Sequence, residues 1–340
     1  MTFARRFTKT VEEPMVQQHR IDGVVRFYNF LSEDVSFLGE VLAGLSKPQK
    51  TLPPDYFYDA RGRALFEQLC EQPEYYCARA ELAIMREHAA AMATLLGPDC
   101  QLIEFGGGSG EKSRILIERL RPLLYVPLER TFESMRADAT GLAQAFPWLN
   151  ISGVCADYTK SWTMPEFVGV PIRKKAVYLP ALAIGQVTPP QALGLLQLVR
   201  RMVGAGGTLL AGVEMKTDKQ VLEAAYNDVA GATAAFNLNL LARINRELGA
   251  DFQLRRFRHR AHYDESRDLI EMNLESLATQ LVHIDGERIA FRQGETVLTG
   301  IACSYSVEQF RDLAQQAGFA PAEAWADPAG LFSVQGMVAV

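Results

Sequence analysis

The sequence predicts an α/β fold, in which a mainly parallel sheet carries helices on both faces and is joined to a second, α+β domain. Three observations lead to this prediction. Short apolar strands alternate with helical segments from residue 101 onward, a glycine-rich turn follows the first of these strands, and antiparallel strand patterns replace the alternation after residue 217. Strand–helix alternation is typical of a parallel sheet whose connections pass through helices.

The alternating part of the chain accounts for the predicted parallel sheet. LIEF is a short apolar run bounded by a turn, as expected of a buried strand, and EKSRILIERL has helical periodicity. Strands are expected at residues 102–105, 125–129, 151–157, 174–181 and 207–215, and helices at residues 111–120, 134–146 and 191–203.

The segments on either side of this part predict the second domain. Helices are expected at residues 35–45, 60–72, 78–96, 218–249 (interrupted near Gly231) and 306–317, the last with a Ser-x-x-Gln capping box. Antiparallel strands are expected at residues 251–263, 268–284 and 287–298, and two closing strands at 321–326 and 331–340.

The order of these segments predicts two domains that are each discontinuous in sequence. Residues 81–215 and 305–340 are expected to form the domain of the parallel sheet. Residues 1–80 and 216–304 are expected to form the α+β domain, which combines the N-terminal segment with an insertion before the closing helix.

Composition and charge favour a globular protein of the cytoplasm. The chain has 340 residues and a net charge of −5, whereas nucleic-acid-binding surfaces usually carry a basic excess. The five cysteines are odd in number and form no Cys-x-x-Cys pair, which argues against disulfides and a zinc site. We find no signal peptide and no apolar run long enough to span a bilayer, so neither a nucleic acid nor a membrane is an expected partner.

Two local patterns could suggest other functions. His259 and His262 are close in HRAH, but no nearby cysteine or carboxylate completes a ligand set, so no metal is expected. The basic run LRRFRHR, at residues 254–260, is better explained as the solvated face of a strand.

The glycine turn, FGGGSGEK, lies between the first strand of the alternation and its helix. Such a turn lets the backbone approach a ligand closely. A dinucleotide needs G-x-G-x-x-G, but here Gly110 follows Gly108 by two positions, and Glu111 would repel a pyrophosphate. S-adenosylmethionine (SAM) has no phosphate and tolerates this pattern. A dinucleotide oxidoreductase is therefore a distant alternative.

Acids at the ends of the next two strands support SAM. Glu129 ends YVPLE, where a carboxylate can accept hydrogen bonds from both ribose hydroxyls. Asp157 ends the third strand, where it can accept from the adenine amine, and Tyr158 beside it can cover the ring. The carboxyl ends of parallel strands share one edge of a sheet, which is where ligands bind in such folds.

With these residues in place, the chain resembles the histidine-specific, SAM-dependent methyltransferases that make hercynine for ergothioneine biosynthesis. The resemblance covers about residues 51–340. It is carried by TLPPDYFYDARGRALFEQLCEQPEYYCARAE (51–81), EFGGGSGEKSR (104–114) and AAYNDVAGATAAFNLNLLARINRELGADF (224–252). It implies a Rossmann-like SAM-binding sheet, and it makes the α+β domain the substrate-binding domain.

The resemblance also implies roles for single residues. Tyr58 and Tyr226 would position the substrate amine as catalytic residues, and Phe66, Tyr75, Thr233 and Phe236 would surround the amino acid. The cofactor residues implied are Gly106, Gly108, Lys112 (near the methionine end), Glu129, Asp157 and Tyr158. Aromatic faces suit a nitrogen that gains a fixed positive charge on methylation.

Departures from the family pattern lie in the substrate pocket. Gln186 stands where the family has an asparagine that grips the amino-acid head. Gly300 and Ala302 in TGIACSYS stand where the family reads imidazole with a glutamate and a serine. Losing a buried hydrogen bond to a charged group costs about 1.5–3 kcal/mol. We therefore expect a larger and less polar side-chain pocket.

The expected function is SAM-dependent methylation of the α-amine of a free amino acid with an aromatic or aliphatic side chain, not histidine, with repeated transfer chemically allowed. The alternatives are true histidine methylation, with imidazole read by Tyr58, Met272 or water, and a non-catalytic protein that binds SAM or its product. A monomer or homodimer that acts on a small molecule is expected.

Overall fold

A computed structural model describes residues 24–31, 36–106, 110–157, 164–165, 167 and 171–340, and only the backbone of residues 133, 134 and 182. Its strands are β1 (Val25–Asn29), β2 (Lys50–Thr51), β3 (Cys100–Phe105), β4 (Leu124–Glu129), β5 (Asn150–Cys155), β6 (Lys174–Leu179), β7 (Thr208–Glu214), β8 (Phe257–Asp264), β9 (Leu269–Ser276), β10 (Gln280–Ile284), β11 (Glu287–Phe291), β12 (Thr296–Ala302), β13 (Phe319–Ala326) and β14 (Phe332–Ala339).

The helices alternate with the first group of strands as the sequence predicts. They are α1 (Phe37–Leu45), α2 (Ala60–Cys70), α3 (Cys77–Leu96), α4 (Glu111–Leu120), α5 (Phe132–Ala145), α6 (Ala181–Gly185), α7 (Pro189–Val203), α8 (Lys219–Ala225), α9 (Ala232–Leu248) and α10 (Val307–Gln316). Ser306 and Gln309 form the predicted capping box at the start of α10. The predicted interruption near Gly231 separates α8 from α9.

An eight-stranded sheet forms the centre of the molecule, with strand order β1-β5-β4-β3-β6-β7-β14-β13. The strands from β1 to β7 in this order are parallel, while β14 is antiparallel to both neighbours. Every residue of β3 and β7 is buried, because helices cover both faces of the sheet. The Rossmann-like α/β fold is confirmed.

β1 was not predicted from the sequence. It lies at the edge of the large sheet and pairs in parallel with β5, with Val25 opposite Ile151. Phe27 packs edge-on against Phe132, with ring centroids 6.1 Å apart. The run VRFYN is too short and too polar to be recognised as a strand without its partner. The predicted division places it with the substrate domain, and the division into two domains stays a prediction.

A second, smaller sheet has the order β2-β12-β9-β8 and is accompanied by the hairpin of β10 and β11. β9 is antiparallel to both β8 and β12, and β2 joins the edge of β12 in parallel. The strands predicted at residues 268–284 and 287–298 are each divided in two, because a bend separates β9 from β10 and a turn separates β11 from β12. One apolar cluster unites this sheet with α1, α2 and α9, and among its buried members are Val41, Phe57, Leu69, Tyr75, Leu240, Phe257 and Phe291. The N-terminal segment and the insertion therefore share a core.

Among the helices that the structure describes, none is both long enough and apolar enough to cross a bilayer. A cytoplasmic location stays a prediction.

A close contact between β7 and α3 makes Gly212 sensitive to substitution. A Cβ at Gly212 would lie 2.1 Å from Oε1 of Glu81 and 3.0 Å from the backbone nitrogen of Ala181. We expect Gly212→Ala to lower the free energy of unfolding by about 1–3 kcal/mol, because overpacking would displace a buried carboxylate. Urea unfolding measures this change.

Gly194 in α7 is a matched control, because nothing lies within 4 Å of the position of its Cβ. Gly194→Ala should stabilise the protein by about 0.5–1 kcal/mol. Equal stability of the Gly212→Ala variant and the unaltered protein would contradict the contact.

Candidate active site

The glycine turn leaves the large sheet at the end of β3 and leads into α4. Gly106 has a φ of +60°, in the left-handed region, and, its chain neighbours aside, no atom of the described residues lies within 4 Å of the position of a Cβ. Its N–H donates to the carbonyl of Leu128 at 2.9 Å, which ties the turn to β4. The described part of the turn therefore leaves room for a ligand against the backbone. Gly108 lies outside the described residues.

Glu104, the acid two residues before the turn, is buried and holds the surrounding elements together. It accepts hydrogen bonds from the hydroxyls of Ser113, at 2.7 Å, and Tyr125, at 2.9 Å. Burial raises the pKa of Glu104 to about 7, against the lowering effect of these two donors. Glu104 thus joins β3 to the first turn of α4 and to β4, and its role was not predicted from the sequence.

Glu129 and Asp157 lie at the same edge of the sheet, as their positions in the sequence predict. β4 and β5 are parallel neighbours in which Glu129 pairs with Cys155, two residues before Asp157. Burial raises the pKa of Glu129 to about 8, with repulsion from Asp138 and Glu104 adding to the effect. The two carboxylates are therefore on adjacent strand ends beside the glycine turn. Tyr158 lies outside the described residues.

Arg130 links this edge to the N-terminal segment. Its guanidinium pairs with the carboxylate of Asp55, in a short 3-10 helix at Pro54–Phe57, and its Nη2 lies 3.6 Å from Oδ2 of Asp157. A cation thus lies between two acids, one from each part of the chain. These contacts join segments 75 residues apart, so the sequence offered no sign of them.

Lys112 pairs with a buried acid. Its Nζ lies 2.5 Å from Oε2 of Glu81, which is 1% exposed. Glu81 also accepts from the hydroxyl of Tyr178, at 2.9 Å, and from the backbone nitrogen of Ala181, at 3.3 Å. Lys112 therefore compensates the charge of a buried carboxylate beneath the turn. Its contact with the methionine end of SAM stays a prediction.

A cavity of about 570 Å³, including its open mouth, lies between the two sheets. Its walls come from α2, α3, α6, α9, β7, β9 and β12. The structure brings together most of the substrate residues expected from the sequence, because the lining includes Tyr58, Phe66, Tyr75, Gln186, Tyr226, Thr233, Phe236, Met272 and Ala302.

Aromatic rings form one wall of the cavity. Tyr58 and Tyr75 each contact Phe66 edge-on, with centroid distances of 5.6 and 6.2 Å. Tyr226 meets Tyr75 edge-on at 6.0 Å, and Phe236 lies 5.7 Å from Phe66. Such a group of ring faces can surround a cationic nitrogen without forming hydrogen bonds to it.

The start of α9 positions Thr233 and is held by Asp228. The hydroxyl of Thr233 donates to Asp228 at 2.6 Å, and the backbone N–H groups of Ala232 and Thr233 donate to the same carboxylate at 2.7 Å. Burial opposes ionisation of Asp228, but these hydrogen bonds outweigh it and lower its pKa. The Thr233 hydroxyl proton is therefore committed to the cap, so this residue can only accept from a ligand.

The part of the cavity around Ala302 is apolar. Ala302 is 7% exposed and packs with Leu222, Ala261 and Ile270 in one cluster, beside Met272. Ile301 and Met272, which line the cavity beside Ala302, are also apolar. A less polar side-chain pocket stays a prediction.

Gly300 stands directly opposite Met272 in the pairing of β12 with β9. A Cβ at Gly300 would lie 3.0 Å from the terminal methyl group of Met272. Gly300 is not among the residues that line the cavity. The space that glycine leaves is therefore partly filled by Met272. The pocket is apolar there, but it is larger by less than the sequence suggests.

Glu214, at the end of β7, is a carboxylate whose role was not predicted from the sequence. It lines the cavity and is 6% exposed. Its oxygens accept from the hydroxyls of Tyr76, at 2.7 Å, and Tyr226, at 2.9 Å. Burial raises its pKa, while these donors and the thiol of Cys77 act in the opposite direction. A signal was present, because Glu214 ends its strand as Glu129 ends β4.

Comparisons with known proteins agree with this architecture. The family model described as histidine-specific, SAM-dependent methyltransferases matches residues 37–339. The histidine N-alpha-methyltransferase of Mycolicibacterium smegmatis is 35% identical over 301 residues, or 87% of this chain and 92% of that protein. The protein of the same name from Mycobacterium tuberculosis is 34% identical over 90% of this chain and 97% of its own length. The N-methyltransferase fsqC of Aspergillus fumigatus is 21% identical over 86% and 81%.

Proposed function

The chain belongs to the family of histidine-specific, SAM-dependent methyltransferases, and from that premise we propose that it methylates the α-amine of a free amino acid with an aromatic or aliphatic side chain. It is a SAM-dependent N-methyltransferase. The proposal therefore concerns the identity of the amine and the number of methyl groups that it receives.

The residues at the carboxyl edge of the large sheet fit SAM. Glu129 would accept from the two ribose hydroxyls and Asp157 from the adenine amine, while the open backbone at Gly106 admits the ligand beside the turn. SAM supplies an electrophilic methyl group on a sulfonium. The protein then needs to orient a neutral amine toward that methyl group and to exclude water.

The cavity wall suits an amine that is methylated repeatedly. Tyr58, Phe66, Tyr75, Tyr226 and Phe236 present ring faces, and attraction between a cation and such a face grows when the cation is desolvated. Each added methyl group makes the nitrogen more apolar, so rings hold it better than hydrogen-bond acceptors would. The carboxylate of the substrate would be held by neutral donors such as the amide of Gln186.

The observation that carries the substrate proposal is the apolar cluster at Ala302. An imidazole placed beside Ala302 would contact Met272 and Ile301, which line the cavity there and whose side chains offer it no strong hydrogen-bond partner. An unpartnered buried polar group costs about 1–3 kcal/mol, which is about a 5- to 150-fold loss in affinity. An aromatic or aliphatic side chain carries no such penalty.

Histidine is the second candidate substrate, and two observations favour it. The mycobacterial relatives bear the name histidine N-alpha-methyltransferase. Glu214 is a carboxylate in the cavity wall, and a carboxylate is a suitable partner for an imidazole N–H.

Isothermal titration of the twenty amino acids into the protein, saturated with S-adenosylhomocysteine, separates the two candidates. We expect an aromatic or aliphatic amino acid to bind about tenfold or more tightly than histidine, which corresponds to one lost buried hydrogen bond. Histidine as the tightest ligand by tenfold would overturn the substrate proposal. Absence of methylation of the tightest ligand in a parallel assay with SAM would overturn the proposed α-amine reaction.

The affinity for SAM is expected to depend on pH through Glu129, whose pKa is about 8 in the unliganded protein. The ionised carboxylate accepts from two ribose hydroxyls better than the protonated carboxyl does, so binding releases a proton below this pKa and affinity falls as the pH falls. Kd for S-adenosylhomocysteine should therefore decrease from about pH 6 to about pH 8 and then level off. Glu129→Gln should flatten this dependence, and a Kd that rises with pH would contradict it.

A further inference from the structure

Glu214 has surroundings that set it apart from the other acids of the site. Among the described residues that line the cavity, it is the one carboxylate. Glu81 and Glu104, by contrast, face Lys112 or hydroxyl groups in the protein interior. Among the titratable groups of the described residues that interact with Glu214 are the phenols and thiols of Tyr75, Tyr76, Cys77, Tyr226 and Cys303.

The hydrogen bonds of Glu214 leave it with acceptor capacity. Tyr76 donates to Oε1, Tyr226 donates to Oε2, and the thiol of Cys77 also bonds to the carboxylate. The two oxygens offer about four lone-pair directions, so about one remains for an N–H of the substrate. The two hydroxyls fix the orientation of the carboxylate in the cavity wall, close to the tyrosine that the proposed function places beside the amine.

The proposed reaction needs a proton acceptor. A free amino acid arrives as an ammonium, which has no lone pair with which to attack. One proton must leave before each transfer, and the monomethylated and dimethylated products are again protonated amines. A carboxylate of the protein that lies beside the amine can take this proton.

We propose that Glu214 is a catalytic residue that takes the proton from the substrate ammonium before each methyl transfer, an inference that rests on the proposed function. The N–H proton passes to a carboxylate oxygen, and its electron pair stays on nitrogen. That pair forms the N–C bond to the sulfonium methyl, while the C–S bond breaks with its electrons going to sulfur. Glu214 then releases its proton to solvent when the product leaves or rotates.

The electrostatics of the cavity suit this role in both directions. An ionised Glu214 attracts the incoming ammonium, because no other carboxylate lines the described part of the cavity. Burial also raises its pKa, which brings the basicity of the carboxyl nearer to that of the amine. Tyr226 keeps the carboxylate in place, which gives this tyrosine a second function beside its contact with the substrate.

The pH dependence of kcat/KM in the Glu214→Gln variant tests the proposal. At about pH 7 we expect kcat/KM for the best amine to fall by about 100-fold or more, the lower end of the contribution that is typical of a general base. The variant should then gain about tenfold per pH unit up to the pKa of the amine, because solution must supply the neutral form. The unaltered protein should change less over this range.

Two further variants keep the test decisive. Glu214→Asp retains a carboxylate and should restore the pH profile of the unaltered protein, even with a lower rate. Tyr76 donates to Glu214 but is not among the residues that line the cavity. Tyr76→Phe should therefore lower kcat/KM without changing the shape of its pH profile. Circular dichroism and affinity for S-adenosylhomocysteine check that each variant folds.

The outcomes separate this inference from the proposed function. Parallel pH profiles for Glu214→Gln and the unaltered protein would overturn the role of Glu214 alone. So would a decrease in kcat/KM that is confined to histidine, since Glu214 would then bind the imidazole of the substrate. Absence of methylation of any amine by the unaltered protein would overturn the proposed function and this role together.

Discussion

Replacing Glu129 with alanine is expected to weaken the binding of SAM by about 100- to 1000-fold. The carboxylate would accept two hydrogen bonds from the ribose, and each bond to a charged group contributes about 1.5–3 kcal/mol. Two such bonds together correspond to about 3–6 kcal/mol. We expect a loss near the lower end of this range, because the substitution also removes a carboxylate that is costly to ionise in its buried position. Titration with S-adenosylhomocysteine measures the change in Kd.

Glu129→Asp is the matched control for this prediction. It keeps the charge and both acceptor oxygens and shortens the side chain by one methylene, so a loss of about tenfold or less is expected. An alanine variant that binds within about fivefold of the unaltered protein would show that the ribose is held elsewhere.

Introducing the family's polar pair by Gly300→Glu with Ala302→Ser is expected to change the ratio of kcat/KM for histidine over the best apolar amino acid by about 100-fold or more. The new groups would give imidazole a charged partner and would place a polar surface against an apolar side chain. The methyl group of Met272 lies 3.0 Å from the new Cβ, but it is the flexible end of its side chain and can move.

Gly300→Ala is the matched control, because it adds the Cβ beside Met272 without adding a charge. We expect it to lower kcat/KM for large amino acids by a small factor and to leave the preference for apolar over histidine side chains unchanged. If the double variant keeps the original ranking while it folds and binds S-adenosylhomocysteine, the side chain of the substrate does not contact this strand.

The large sheet was predictable because its strands carry their own signal. Residues 102–105 and 207–215 are mainly apolar, as expected of strands that are covered on both faces, and the first of them is followed by the glycine turn. β1 carries no such signal, because only its pairing with β5 makes it a strand. A local apolar pattern indicates that a strand is buried. An edge strand such as β1 lacks this pattern, because it is formed by pairing with a strand that is distant in sequence.

The candidate site shows the same limit. The aromatic residues were expected to surround one ligand because they belong to family-like motifs, and the cavity does bring Tyr58, Tyr75 and Tyr226 together. The contact between Gly300 and Met272 depends on the register of β12 against β9, which a single sequence does not fix. The link from Arg130 to Asp55 likewise depends on the docking of the N-terminal segment.

Glu214 could have been found from the sequence. It ends the fifth strand of the alternating part in the same way that Glu129 and Asp157 end theirs, and strand ends of such sheets share one edge. What the sequence did not indicate is the pair of tyrosine hydroxyls that hold it, since Tyr76 comes from the N-terminal half of the chain. Its contacts in the folded protein are what identify Glu214 as a candidate base.

The identity of the amine is the central claim, and a competition assay tests it most directly. The protein is incubated with SAM and an equimolar mixture of the twenty amino acids, and mass spectrometry identifies every methylated product at low conversion. We expect the main product to be an N-methylated aromatic or aliphatic amino acid, with methylated histidine about tenfold or more below it. Methylated histidine as the main product would contradict the account.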